Sequence, residues 1–205
     1  MEQLLDKQTK KNMYLRPSFD LDQSIDQTNY YWFEHAFNEQ ELGWLENLQN
    51  LYNFETASTI AGDTNDFRKS KIKWMHHDDA SAWVYDRLKD LSVEANGVWK
   101  FDLHTIVDSI QYTEYYEGGG HYGWHTDIGP GSINHRKISI TVQLSDDDEY
   151  EGGDFEIWTG GEFKTLPRKK GCAILFPSFL LHRVTPVTKG TRKSMVLWVG
   201  GGSFK

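Results

Sequence analysis

The sequence predicts an α+β domain that is mainly β, and three observations support this fold class. Two segments before residue 99 repeat apolar residues at helical spacing, whereas beyond it the period changes to two, with Gly-rich or acidic turns between short runs. The chain has 205 residues, which is typical of one domain, and 14% of them are aromatic, which is enough to build a core. Many short strands with frequent turns are typical of a sandwich or a barrel.

The first helix is predicted between residues 37 and 53. Asn38 can cap its N-terminus, and Glu41 stands three residues later, as in a capping box. Its apolar stripe is formed by Leu42, Leu45, Leu48 and Tyr52. A second helix is predicted between residues 78 and 97, where an Asn-Gly pair provides a stop signal. Its apolar stripe is formed by Val84, Leu88, Leu91 and Ala95.

The clearest strand is predicted between residues 138 and 144, with one apolar and one polar face. The apolar face is formed by Ile138, Ile140, Val142 and Leu144. The polar face is formed by Ser139, Thr141 and Gln143. Two interpretations of the polar face are open. It is exposed to water, as in many antiparallel sheets, or it lines a pocket inside a rolled sheet whose apolar face is covered by the two helices.

Charge and hydropathy exclude several kinds of partner. The formal net charge is -8, so the chain offers no overall attraction for a nucleic-acid backbone, and no nucleic-acid partner is expected. The basic run "RKSKIK", residues 68 to 73, is interpreted as a solvent-exposed face. No apolar run is long enough for a signal peptide or a membrane span, so no membrane partner is expected either.

The cysteine content and the N-terminal composition predict location and domain boundaries. Cys172 is the only cysteine, which excludes an intrachain disulfide and fits a reducing compartment, so a cytoplasmic location is expected. Residues 1 to 28 are rich in Lys, Gln, Asp and Asn and are interpreted as an N-terminal extension. Residues 29 to 205 are then expected to form a single domain.

Three His-x-Asp pairs offer metal-ligand residue types at the same spacing. The stretch "WMHHDD", residues 74 to 79, contains two of them, and "HYGWHTD", residues 121 to 127, contains the third. The aspartates of the first stretch immediately precede a predicted helix, where capping already accounts for their carboxylates. His125 and Asp127 instead follow a β-rich stretch and precede the loop "DIGPG", so both can project from a strand end into a concave mouth. They are the candidate pair.

A third ligand and an anion-binding residue can be sought downstream. His182 follows the apolar strand "CAILFP", and two histidines with one carboxylate leave open metal positions, as in non-haem Fe(II) oxygenases. A structural role for His182 is the alternative, and the ligand types alone also allow zinc. Arg192 shares strand parity with Trp198, and its guanidinium can pair bidentately with a carboxylate. A 2-oxoacid can therefore chelate the metal and pair with Arg192, unless this arginine lies on the surface.

At this point the sequence resembles the Fe(II)- and 2-oxoglutarate-dependent dioxygenase superfamily, and within it the prolyl 4-hydroxylase type. The stretch "YEGGGHYGWHTD" is similar to the family pattern Tyr-x-x-Gly-x-x-Tyr-x-x-His-x-Asp. The matching residues are Tyr116, Gly119, Tyr122, His125 and Asp127. "RKISITVQLSD", "EGGDFEI", "GCAILFPSFLLHRVTPV" and "GTRKSMVLWV" follow in family order, so that the resemblance extends from residue 30 to residue 202.

The resemblance implies a double-stranded β-helix, or jelly roll, with supporting helices packed on its larger sheet. It also implies Fe(II) as the metal, 2-oxoglutarate and O2 as cosubstrates, ascorbate as a reductant, and oxidative decarboxylation to succinate and CO2. Site roles are implied for eight residues: His125, Asp127 and His182 as metal ligands, Tyr116, Ser139 and Arg192 on 2-oxoglutarate, and Arg136 and Trp198 on a target peptide. Gln143 occupies a position where some relatives place a tyrosine.

Three functions are compatible with these patterns. The leading hypothesis is hydroxylation of a prolyl residue in a peptide or protein. The second keeps the cofactors but acts on a free amino acid or another small metabolite, because family resemblance does not determine the substrate. The third is a non-catalytic jelly-roll module with a structural or carbohydrate-binding metal site. The triad together with Arg192 argues against this module, because such a protein has no need of a cosubstrate clamp.

Overall fold

The computed structural model describes residues 28–57 and 67–203, and they are folded mostly into antiparallel strands. The predicted N-terminal extension lies outside the described residues apart from its last position, and the predicted domain boundaries stay a prediction. Two α-helices are described, α1 (Glu39–Gln49) and α2 (Ala82–Trp99). Thirteen strands are described: β1 (Tyr31–Phe33), β2 (Glu55–Thr56), β3 (Arg68–Lys69), β4 (Lys71–Met75), β5 (Leu103–Ile106), β6 (Ile110–Tyr116), β7 (Gly120–His125), β8 (Arg136–Gln143), β9 (Tyr150–Gly152), β10 (Phe155–Trp158), β11 (Phe163–Thr165), β12 (Ala173–Pro177) and β13 (His182–Gly201).

The strands form a larger and a smaller sheet, and β13 belongs to both. In the larger sheet the order is β1-β12-β8-β13-β6-β4-β2, with β5 also paired to β13. In the smaller sheet the N-terminal half of β13 pairs with β7, β9 and β10, while β3 joins β7 and β11 joins β10. The 20 residues of β13 therefore link the two walls, and its register shifts at several points along the smaller sheet. This arrangement confirms the predicted double-stranded β-helix with supporting helices.

Strand β8 has the two faces that its sequence predicts. Its alternate residues Ile138, Ile140 and Val142 are buried in the main hydrophobic core. Residues of both helices belong to the same core, including Leu45 of α1 and Leu88 of α2. Thr141, on the opposite face, lines a large cavity between the sheets. The pocket interpretation of the polar face is therefore confirmed, because the helices cover the apolar one.

The N-terminus of α1 agrees with its sequence signal, whereas the C-terminus of α2 does not. Helix α1 begins with the predicted capping box, in which Asn38 accepts from the Glu41 amide and Glu41 accepts from the Asn38 amide. Helix α2 continues past Gly97 to Trp99. Its C-cap, Lys100, has a left-handed backbone with φ 56°. The Asn96 side chain bonds the backbone of Phe101 instead of stopping the helix. No helix among the described residues is long and apolar enough to cross a lipid bilayer.

Candidate active site

Strand pairing brings His125, Asp127 and His182 together. His125 ends β7, His182 begins β13, and the two residues are direct partners in the antiparallel register. The Asp127 amide donates to the Ser178 carbonyl at 2.9 Å, which holds the residue after β7 against the turn before β13. The Nε2 atoms of His125 and His182 lie 3.6 and 3.5 Å from the two carboxylate oxygens of Asp127. Within residues 28–57 and 67–203, this is the only group of three potential ligands.

Backbone carbonyls orient both imidazole rings toward the shared space. His125 Nδ1 lies 2.8 Å from the Gly123 oxygen, and His182 Nδ1 lies 2.9 Å from the Leu180 oxygen. A carbonyl can only accept, so each Nδ1 carries the proton and each Nε2 presents a lone pair. Burial and the neighbouring His182 lower the pKa of His125 to about 3, which keeps its ring neutral as a metal ligand requires. The donor set therefore fits a divalent metal ion.

Ser139 supports the ligand carboxylate. Its hydroxyl donates to Asp127 Oδ2 at 2.6 Å and lies 3.0 Å from the Ser178 hydroxyl. Burial alone would raise the pKa of the Asp127 carboxyl, but the adjacent His182 and His125 and the Ser139 hydroxyl outweigh it and lower that pKa. Ser139 is fully buried, does not line the cavity and contacts the carboxylate of the candidate ligand Asp127.

The three candidate ligands open into a cavity of about 610 Å³ that also contains Arg192. The Arg192 side chain is only 1% exposed. Its Nη2 donates to Gln143 Oε1 at 2.9 Å, and its Nη1 donates to the Ser194 hydroxyl at 3.3 Å. No carboxylate pairs with it among the described residues. A buried guanidinium held only by neutral groups favours the binding of an anion, since an uncompensated buried charge is costly.

The structure does not bring Tyr116 into this cavity. Its hydroxyl donates to Glu114, and burial followed by this contact raises its pKa. The preceding residue, Tyr115, is the direct strand partner of Arg192 and lines the cavity. The Arg192 guanidinium carbon lies 5.4 Å from the centre of the Tyr115 ring. Residue parity on β6 therefore selects Tyr115 rather than Tyr116 as the tyrosine beside Arg192.

Arg136 and Trp198, both predicted to contact a peptide, lie together on the cavity wall. The Arg136 guanidinium carbon lies 3.8 Å from the centre of the Trp198 ring. Asp108 accepts from Arg136 Nη2 at 2.6 Å and from Nε at 3.0 Å, and the Asp127 carbonyl accepts from Nη1 at 3.2 Å. Arg136 is thus fixed in position beside the candidate metal ligand Asp127.

The other two His-x-Asp pairs have structural contacts. His76 Nδ1 lies 2.9 Å from the Ser109 hydroxyl, and the His77 ring lies 4.9 Å from the Tyr85 ring. Asp78 accepts from the amides of Ala80 and Ser81, so it caps the turn that leads into α2. The N-cap position itself is occupied by Ser81.

Two charged residues of the cavity, Arg68 and Asp108, were not predicted as site residues from the sequence. The run "RKSKIK" was interpreted as exposed, but Arg68 and Lys73 are only 8% and 5% exposed. Arg68 lines the cavity because β3 pairs with β7, and this tertiary contact leaves no local signal in the sequence. The lysines at 69 and 71 are the exposed members of the run.

The comparisons with known proteins agree with this geometry. Residues 110–200 match the family model of the 2OG-Fe(II) oxygenase superfamily. A PKHD-type hydroxylase of Crocosphaera subtropica is 30% identical over 173 residues, which are 81% of this chain and 76% of that relative. A PKHD-type hydroxylase of Teredinibacter turnerae is 42% identical over 89 residues, 41% of this chain, and the match spans only 39% of that relative's length.

Solved structures show the same fold at low sequence identity. A prolyl hydroxylase from Trichoplax adhaerens, in complex with a peptide fragment of the hypoxia inducible factor oxygen degradation domain, is 17% identical with a TM-score of 0.72, covering 98% of this chain and 93% of that one. A prolyl-4-hydroxylase of Pseudomonas putida is 17% identical with a TM-score of 0.67, covering 85% and 94%. With these matches, the chain belongs to the 2OG-Fe(II) oxygenase superfamily, among relatives of the PKHD type.

Proposed function

We propose that this protein is an Fe(II)- and 2-oxoglutarate-dependent dioxygenase that hydroxylates a prolyl residue in a peptide or protein. The observation that carries the proposal is the meeting, in one cavity, of a two-histidine, one-carboxylate ligand set and a buried arginine that lacks a carboxylate partner among the described residues. Neither feature alone selects this chemistry. Together they match the two ends of a 2-oxoacid dianion.

His125, Asp127 and His182 are the residues that would hold the metal. Bound Fe(II) would supply O2 activation coupled to oxidative decarboxylation of 2-oxoglutarate to succinate and CO2, with ascorbate as a reductant. The protein's own contribution is to keep both Nε2 atoms deprotonated and aimed inward, and to hold the carboxylate through Ser139. These contacts would hold three ligands on one side of the metal and leave its cavity side free for other ligands.

The distal carboxylate of 2-oxoglutarate is proposed to pair with Arg192. Gln143 and Ser194 fix the orientation of the guanidinium through hydrogen bonds. Its remaining N–H groups are therefore preorganised for the ligand. We assign the tyrosine contact to Tyr115 in place of Tyr116, whose hydroxyl is bonded to Glu114. We likewise assign Ser139 to the support of Asp127 and not to the cosubstrate.

The peptide is proposed to lie against Arg136 and Trp198. Arg136 is fixed by Asp108 and stacks on the indole, so the pair offers a rigid flat wall beside the metal ligands. Gly129, Pro130 and Ile133, in the segment between β7 and β8, complete that side of the cavity. The peptide bound to the Trichoplax neighbour supports a peptide substrate here. A free amino acid is the second candidate, since a cavity of about 610 Å³ can enclose one.

The decisive experiment is a succinate assay with Fe(II), ascorbate and 2-oxoglutarate, offering proline-containing peptides and free amino acids in parallel. We expect O2-dependent succinate formation stimulated by peptide, and competitive inhibition by N-oxalylglycine, which copies the chelating end of 2-oxoglutarate. Faster hydroxylation of free proline than of any peptide would select the small-molecule alternative. Absence of both turnover and 2-oxoglutarate binding would leave the non-catalytic module. A cytoplasmic location is proposed on the strength of the single, buried thiol of Cys172.

A further inference from the structure

Arg68 is a second arginine that is buried in the cavity wall. Strand β3 pairs with β7 so that Arg68 is the direct partner of Tyr122. The Arg68 guanidinium carbon lies 4.5 Å from the centre of the Tyr122 ring, and the Tyr122 ring also stacks on the ring of His125, with 3.5 Å between ring centres. Arg68 therefore lies two ring spacings from a candidate metal ligand, and it is 8% exposed.

The contacts of Arg68 are all with neutral groups. Its Nε donates to the Ser70 hydroxyl at 3.0 Å, and its Nη2 donates to Gln111 Oε1 at 2.8 Å. No ion pair joins it to any carboxylate in the part of the chain that the structure describes. Arg68 Nη1 makes no hydrogen bond to any described residue, and Arg68 lines the cavity. The guanidinium is thus positioned by Ser70, Gln111 and Tyr122 while part of its donor fork is free for a ligand.

A count of charges around the cavity shows why this matters. The charged side chains that line it, apart from histidines, are three arginines and two aspartates: Arg68, Arg136, Arg192, Asp108 and Asp127. Arg136 is paired with Asp108 at 2.6 Å. A divalent metal and a dianionic 2-oxoacid carry equal and opposite charges, so binding both leaves the net charge of the lining unchanged. One positive charge remains, and within residues 28–57 and 67–203 Arg68 is, apart from the proposed 2-oxoacid partner Arg192, the lining arginine that no carboxylate neutralises.

We infer that Arg68 binds a carboxylate of the substrate itself, and that the substrate is a peptide with an Asp or Glu side chain close to the hydroxylated residue. The inference rests on the proposed function and narrows its substrate class. A buried guanidinium whose Nη1 is free for a ligand favours a carboxylate over a neutral amide, because an unmatched buried charge is costly and a charge-assisted hydrogen bond to a carboxylate neutralises it. The net charge of -8 repels acidic peptides at long range, so this selectivity arises from contact within the cavity.

The test measures peptide binding by the full-length protein loaded with Mn(II) and N-oxalylglycine, so that no turnover occurs. The probe is a library of peptides with one central proline and randomised flanks, acetylated and amidated so that side chains carry the only carboxylates. We expect Asp or Glu to be enriched over Asn or Gln by about tenfold or more at one flanking position. The variant R68Q should lose this enrichment, and R68K, which keeps the charge without the planar fork, should retain part of it.

The matched control is K69Q, which removes the same charge from the adjacent, exposed residue of β3 and should bind the library as the unmodified protein does. N-oxalylglycine binding by R68Q reports whether its pocket is formed. The inference is overturned by equal binding of acidic and amide peptides, by enrichment that persists in R68Q, or by binding only of a second library whose sole carboxylate is the C-terminus. Absence of N-oxalylglycine binding to the unmodified protein would instead sink the proposed function, which separates the two failures.

Discussion

Replacing Arg192 by methionine should weaken 2-oxoglutarate binding strongly and metal binding little. The guanidinium is 1% exposed, so water cannot replace it once a ligand carboxylate occupies the cavity. Truncating one partner of a buried charge pair costs roughly 2 to 5 kcal/mol, which corresponds to an increase in Kd of about 30-fold to a few thousand-fold. Methionine has a similar length, so the change removes donors and charge while leaving little empty volume.

The measurement is calorimetric titration of 2-oxoglutarate into metal-loaded protein without O2. Lys189→Met is the matched control, because Lys189 lies on the same strand and its side chain is 73% exposed, in a surface pair with Glu151. We expect that control to bind as the unmodified protein does. An unchanged 2-oxoglutarate affinity in Arg192→Met, with metal binding intact, would refute the assignment of Arg192 as the cosubstrate clamp.

Four further substitutions separate the candidate metal site from the structural His-x-Asp pairs. His125→Ala should abolish metal binding with the fold retained, whereas His77→Ala should keep the metal. Metal stoichiometry after gel filtration measures both outcomes, and metal loss from the His77 variant alone would contradict the assignment. Ser139→Ala should lower metal affinity about 10- to 100-fold by releasing the Asp127 carboxylate; a competitive chelator titration measures this, and unchanged affinity would remove Ser139 from the site. Asp78→Ala should lower the free energy of unfolding by about 0.5 to 2 kcal/mol through loss of its hydrogen bonds to two backbone amides, and it should leave metal binding unaffected. Urea unfolding measures the first outcome, and metal loss would contradict a purely capping role.

The parts of the fold that the sequence predicted are those with local signals. The capping box of α1 involves two residues three positions apart, so it is visible without tertiary information. The strand at 138 to 144 was predictable because one face is continuously apolar. The end of α2 was not predictable from its Asn-Gly pair, because Asn96 bonds Phe101 across the helix terminus. Short strands such as β3 exist only because a partner strand supplies their hydrogen bonds.

The sequence motifs identify residues that the structure brings together, but they do not show which of two neighbouring strand residues faces the cavity. The structure brings the His-x-Asp motif and His182 together because β7 pairs with β13, and their role as metal ligands stays a prediction. The motif register indicates Tyr116, but Tyr115 is the strand partner of Arg192 on β6. Neighbouring residues of a strand point to opposite faces of the sheet, so an error of one residue selects the wrong face. Arg68 was missed because charged runs are usually exposed, and only pairing with β7 buries it.

One physical rule connects the three proposed ligands of the cavity. Asp127 has no Arg or Lys partner for its carboxylate among the described residues, and Arg192 and Arg68 have no carboxylate partner there, whereas Arg136 and Asp108 neutralise each other. Metal, cosubstrate and acidic substrate would each relieve one unmatched buried charge. An unmatched charge also destabilises the empty fold, by more than the two neutral hydrogen bonds that Arg192 makes, which are worth about 0.5 to 1.5 kcal/mol each. Arg192→Met should therefore leave the thermal midpoint of the ligand-free protein equal or higher. At a 2-oxoglutarate concentration about a hundredfold above the Kd of the unmodified protein, it should lower the stabilisation by this ligand from about 2.7 kcal/mol to about 0.9 kcal/mol or less. A lower midpoint without ligand would show that the guanidinium holds the fold together, and that its burial reports structure instead of a binding site.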